Sequence, residues 1–166
     1  IFLFILFSIL YIVFSVLFVY DLRHKFVPTN VSLLLIIIGF AFSFYRLYNN
    51  SFYFGGINTF FWLDVFSGFL IALPFYLIYL FTNKKGVGFG DIVIFFGIGY
   101  LSGFVSGVSI FFLSVFLGAF ISLLLMLFFP KRFNKKSQIP FAPFILIATI
   151  IVILFQIDIL SIMKIL

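Results

Sequence analysis

The chain of 166 residues has no cysteine, no glutamate, one histidine and one tryptophan. Without cysteine there are no disulfides, thiol nucleophiles or thiolate-ligated zinc. The single histidine, His24, cannot build a histidine-based metal site alone. Charge is scarce as well: 8% of residues are charged and 66% are apolar, against about 25% and about 45–50% in soluble domains. Those proportions exclude a soluble globular domain, a disordered chain and a coiled coil. What is abundant is phenylalanine, 31 residues of it, in long apolar runs broken by short polar segments. That pattern describes an all-α, polytopic integral membrane helix bundle. At roughly 20 residues per span the chain has room for about six transmembrane helices. No length remains for a separate soluble domain, so residues 1–166 are expected to form a single membrane-embedded domain. A net charge of +6 would suggest nucleic acid in a soluble protein. Here the cations stand beside membrane runs and read as topology markers, with a lipid bilayer as the partner and no nucleic acid.

The runs can be placed one by one. Ile1 to Tyr20 is uncharged and long enough to span. It lacks the basic leading segment and small-residue cleavage site of a secretory signal, so it reads as a mature helix. Asp21 to Asn30 is a polar loop with Arg23, His24, Lys25 and Pro28. Val31 to about Tyr48 is the second span, with Arg46 snorkelling from its end. Asn49 to Thr59 holds Gly55 and Gly56, a turn signal. The third span runs from about Phe60 to Phe81, with Asp64 near its start and Pro74 inside it, where a kink is expected. Ile92 to Phe129 carries no charge. As one helix it would be about 57 Å long, nearly twice a hydrocarbon core of ~30 Å. Two spans with a tight turn fit better, and Ser102, Gly103, Ser106 and Gly107 offer the turn. Pro130 to Gln138 is the most basic loop, and Ile139 to Ile157 is the sixth span.

The odd loops carry Arg23, Lys25, Lys84, Lys85, Lys131, Arg132, Lys135 and Lys136, and the other side carries only Arg46 and Lys164. Cytoplasmic loops are the cation-rich ones. The odd loops are therefore expected in the cytoplasm and both ends of this chain outside. An outside start for the first span suits a chain with further sequence upstream.

Four aspartates remain to be weighed. Asp64 and Asp158 fall on the outer side and read as acids at helix ends reaching interfacial water. Asp21 ends the first span and Asp91 opens the fourth, both at the cytoplasmic border. Each alone could be an interfacial cap. Together they invite a specific chemistry, because the order of the spans permits them to meet. Two carboxyls within hydrogen-bond reach share a proton and titrate as a unit. One can then take a proton from water while the other donates to a carbonyl oxygen. This is how aspartic proteases hydrolyse peptides, with no metal and no cofactor. Gly86, Gly88 and Gly90 alternate just before Asp91. In an extended segment they would leave one face bare for close approach of another backbone. Gly88 and Gly90 are thus candidate substrate-binding positions beside the candidate catalytic pair Asp21 and Asp91.

These residues resemble a known family. Gly88-Phe89-Gly90-Asp91 is a GxGD motif. Asp21 followed by Val27-Pro28 resembles the first aspartate motif of the type IV prepilin peptidases. Ile139-Pro140-Phe141-Ala142-Pro143-Phe144 resembles their late Ile-Pro-Phe-Gly-Pro-Phe segment. The three occur in the family's order and cover nearly the whole chain. The resemblance implies a membrane aspartic endopeptidase of the plasma (inner) membrane. It would remove the basic leader of prepilins or pseudopilins at the cytoplasmic face, just before their hydrophobic segment. By match, Asp21 and Asp91 would be its catalytic pair, with Gly88 and Gly90 shaping the site. Two positions depart from the pattern. Val93 stands where a lysine is frequent, and Ala142 replaces the late glycine. Nothing matches the upstream domain linked to N-methylation in bifunctional members, so methyl transfer is not assigned.

Other readings compete. Tyr20-Asp21 echoes the Tyr-Asp motif of presenilin-like GxGD proteases, but those have about nine spans and a Pro-Ala-Leu motif missing here. Preflagellin peptidases are nearer in size, yet Pro28 and Pro140 to Phe144 favour the prepilin branch. A small proton or cation transporter also uses paired intramembrane acids. It would need polar groups through the midplane, where this chain has phenylalanine, leucine and isoleucine.

Overall fold

The structure, a computed structural model, describes residues 2–24, 27–49, 61–83, 87–128 and 140–157. They form seven helices: α1 (Phe2–His24), α2 (Thr29–Asn49), α3 (Phe61–Val65), α4 (Ser67–Phe81), α5 (Phe89–Ser102), α6 (Phe104–Phe128) and α7 (Ala142–Phe155). There is no strand among the described residues, and the chain is an all-α membrane helix bundle. Two stretches, Ile5–His24 and Phe104–Phe128, are long and apolar enough to cross a bilayer. The other apolar helices are shorter and pack beside them. The first, second and sixth expected spans correspond to α1, α2 and α7.

The expected division of the long uncharged run falls at Gly103. Its φ of +82° suits a residue without a Cβ. Its N–H donates to the Gly99 carbonyl at 2.9 Å, while the Ser102 hydroxyl donates to the Ile98 carbonyl at 2.8 Å. The chain therefore reverses while keeping its backbone groups bonded, as a bilayer demands.

The third expected span differs from its reading. Pro74 lies inside α4 as expected, and the span is also interrupted at Phe66, between α3 and α4. At Phe66 the chain turns, and the Ser67 hydroxyl there donates to the Asp64 carbonyl at 2.8 Å.

The interior is mainly apolar, but unlike that of a soluble protein the surface is apolar as well. Trp62, Phe81, Phe116, Leu127 and Leu154 are exposed, while Ser32, Ser67, Ser102, Ser109, Ser114 and Thr149 are buried. Small interior residues let membrane helices approach closely where lipid provides no hydrophobic drive. The centre of the bundle is α5, which packs on α2, α4, α6 and α7. Gly39 of α2 lies against the Gly97 backbone, and a Cβ on Gly99 would come within 2.6 Å of the Gly68 Cα in α4. Those contacts fix α5 on both sides, and Asp91 rides on its first turn.

Candidate active site

Asp21 lies in the last turn of α1 and is only 4% exposed. Its Oδ2 accepts a hydrogen bond from the Ala142 N–H at 3.1 Å. Ala142 is the first residue of α7, whose N-cap Phe141 offers no side-chain cap. The first N–H groups of a helix have no partner within it. Asp21 therefore caps α7 from another helix and joins the first aspartate motif to the late Pro-Phe-Ala-Pro-Phe segment. The start of α7 is held from its other side by aromatic packing. The Phe141 ring stacks on Phe75 at 5.4 Å and meets Phe95 at 6.4 Å. It also lies over Gly118 of α6, where a Cβ would stand 2.7 Å from the ring.

Asp91 lies in the first turn of α5 and is partly buried. Its N–H donates to the Gly88 carbonyl at 3.2 Å. Its carboxyl lies within the electrostatic reach of the Asp21 carboxyl, and the two repel when both are charged. Asp21 and Asp91, from two helices, thus stand close enough to interact electrostatically.

The glycines before Asp91 differ from their reading. Gly88 is extended, with φ −71° and ψ 139°, but Gly90 already belongs to the first turn of α5. Gly86 lies outside the described residues. The two described glycines make room for different neighbours. A Cβ on Gly88 would stand 3.2 Å from the Asp91 Oδ2. A Cβ on Gly90 would come within 2.5 Å of the Val27 Cβ. The Val27-Pro28 segment that follows Asp21 is therefore seated directly on the turn that carries Asp91.

The cations beside Asp21 face elsewhere. Arg23 and His24 are exposed, and the His24 ring packs on Tyr20, with centroids 4.6 Å apart. Helical spacing turns Arg23, two residues on from Asp21, away from its face. Lys25, Lys84, Lys85, Lys131, Arg132, Lys135, Lys136, Lys164 and Asp158 lie outside the described residues.

Two charges do not stand where the sequence put them. Arg46 was expected to snorkel and Asp64 to reach interfacial water, but they are 6% and 8% exposed. The Asp64 Oδ1 accepts from the Phe104 N–H at 2.7 Å, capping α6. The Arg46 guanidinium lies in the electrostatic field of Asp64. Both press on Gly103, where a Cβ would meet the Arg46 Nη1 at 2.6 Å and the Asp64 Oδ1 at 2.9 Å. Burial of each charge is made tolerable by the other. The signal was present in the sequence, as one cation and one anion on the same expected side of adjacent spans. This cluster sits at the C-terminal end of α5, and Asp91 at its N-terminal end.

Among the described residues no three His, Cys, Asp or Glu side chains gather as a metal-binding group. The site that does form is a pair of carboxyls, one held by a backbone N–H, beside an extended glycine.

No curated protein and no solved structure matches the chain. The model of the type IV leader peptidase family matches residues 8–123. That stretch is well over half of the chain and includes Asp21, Val27-Pro28 and the Gly88 to Asp91 motif, stopping short of the late proline segment. A protease of membrane helices is what the resemblance implied, and with this match the chain belongs to the type IV leader peptidase family.

Proposed function

We propose that the chain is an aspartic endopeptidase in which Asp21 and Asp91 form the catalytic pair. Its substrates are prepilins or pseudopilins, and it cuts their basic leader from the hydrophobic segment at the cytoplasmic face of the plasma membrane. The observation that carries the reading is the approach of the two carboxyls at one end of α1 and α5. The cation count supports the cytoplasmic placement, since Arg23 and seven further cations lie on the loops of that side.

In the mechanism one carboxyl is ionised and the other holds the shared proton. The carboxylate takes a proton from a water molecule, whose oxygen attacks the scissile carbonyl carbon. The protonated carboxyl gives its proton to the carbonyl oxygen, so the tetrahedral intermediate is neutral. Collapse returns a proton to the pair's second carboxyl and breaks the C–N bond, and the leaving amine takes up the proton first removed from water. The Ala142 N–H occupies one lone pair of Asp21 Oδ2 and so fixes that carboxyl's orientation. The extended backbone at Gly88 leaves the approach to Asp91 clear of side chains.

The test is cleavage of a full-length prepilin in detergent–lipid micelles, with products identified by mass. The wild-type chain should cut immediately before the hydrophobic segment. Asp21→Asn and Asp91→Asn should each lower kcat by at least about 10²-fold, the scale of a lost general acid or base. Cleavage that survives both substitutions would overturn the assignment.

A further inference from the structure

Outside the acid pair, the surface that stands out is a groove of about 520 Å³ between α1 and α7. It is lined from Phe7 to Val19 on α1 and from Leu146 to Leu154 on α7. On both helices the lining residues recur every three or four positions, so one stripe of each faces the groove. Two such stripes side by side make a seat for the side chains along one face of a third helix. The Ser15 hydroxyl, the groove's small residue, donates back to the Tyr11 carbonyl at 2.8 Å. That small residue lets an incoming helix approach closely.

The groove is continuous with the acid pair. Val19 precedes Asp21 by two residues, and Leu146 lies one turn beyond Ala142, whose N–H Asp21 accepts. A helix seated there would end within about one turn, roughly 5 Å, of the Asp21 carboxyl. One or two extended residues at about 3.3 Å each would carry the chain to it.

The groove's middle distinguishes a helix from lipid. Tyr11 lines it and is 73% exposed. It stands ten residues before Asp21, about 15 Å deeper and near the centre of a ~30 Å core. A phenol hydroxyl placed in hydrocarbon costs free energy unless it finds an acceptor. An acyl chain offers none there, whereas a helix offers carbonyls and any polar side chain it carries.

We propose that the α1–α7 groove seats the apolar helix of the substrate, so that the bond preceding that helix is delivered to Asp21 and Asp91. This inference rests on the protease reading above. Binding of the helix sets which bond reaches the carboxyls, and the groove is where substrates are recognised.

The test uses the full chain bearing Asp91→Asn, in proteoliposomes of phosphatidylethanolamine and phosphatidylglycerol with a full-length prepilin. A photoreactive benzoylphenylalanine replaces Tyr11, Ile150 or, as a control on the far face, Phe116, which is 66% exposed on α6. Illumination should join the first two positions to the prepilin's apolar helix, at residues three or four apart, and leave Phe116 unlinked to it. In otherwise wild-type protein, Ser15→Phe should raise KM for the full-length prepilin about tenfold, the equivalent of 1.4 kcal/mol, and hold kcat within about twofold. Lipid adducts alone, adducts to a second copy of this chain, or equal prepilin adducts at Phe116 would overturn the groove while the wild type still cuts prepilin. A wild type that cuts no prepilin would instead remove the protease reading on which the groove depends.

Discussion

A methyl group added at Gly88 would stand 3.2 Å from the Asp91 Oδ2, while one at Gly90 would run into the Val27 side chain. The two glycines of one motif therefore predict different failures. The backbone at Gly88 has φ −71°, which any residue adopts, so Gly88→Ala should fold normally and displace the carboxyl. The carboxyl must give by a few tenths of an ångström, and since a 1 Å misplacement costs about 10²-fold, kcat should fall by up to about tenfold with the melting temperature unchanged. Gly90→Ala forces Val27 away, and overpacking of this kind costs about 1–3 kcal/mol. Thermal unfolding in detergent should show that loss, and Val27→Gly in the same chain, which removes the Cβ that is struck, should recover part of it. An equal loss of stability from both single variants would contradict this division. Asp21 and Asp91 were legible as a pair from residue type and membrane depth. The Ala142 N–H on Asp21 was not, because its 121-residue separation leaves no local pattern.

Among the elements, the α5–α6 turn depends on charges contributed by α2 and α3. Arg46 and Asp64 crowd Gly103, and Asp64 supplies the acceptor that the first N–H of α6 lacks. The Arg46 Nε and Nη2 are buried without hydrogen-bond partners, so Asp64 is the charge that offsets its burial. Asp64→Ala should therefore destabilise by about 3–5 kcal/mol, the usual cost of stranding a buried charge. The double variant Arg46→Met, Asp64→Leu should regain most of that, since an apolar pair leaves no charge unpaired. Unfolding midpoints in a fixed detergent measure both, and a double variant no better than the single one would refute the pairing. Prepilin cleavage below the melting temperature should persist in both, because the acids lie at the other end of α5. Sequence reading located the turn itself from helix length and glycine. It marked Pro74 within the third span but gave no sign of the interruption at Phe66. A proline marks a missing donor, but whether the chain turns is set by what caps the neighbouring ends.

At the scale of the whole molecule, the orientation in the bilayer proposed from the cation count is open to a direct check. The chain has no cysteine, so a single introduced thiol reports its own side. Arg23→Cys, at the exposed end of α1, should react with a membrane-impermeant maleimide only from the cytoplasmic side. Gln156→Cys, exposed past the end of α7, should react only from the other. The reverse pattern would move the acids to the outer face and remove the proposed access to cytoplasmic leaders.

By itself the sequence determined the membrane class, the helical runs and their order. Those properties depend on composition and run length, which the bilayer reads locally along the chain. The tertiary structure alone decided which groups touch. It put Ala142 on Asp21, seated Val27 on Gly90, and drew Arg46 and Asp64 inward where hydropathy had placed them at the interface. It also left the α1–α7 groove open. Such contacts depend on how close the helices come and on which backbone groups still need a partner. In this bundle the approach is set by small residues on α2, α4 and α5 facing one another, a relation that appears only once the helices are packed.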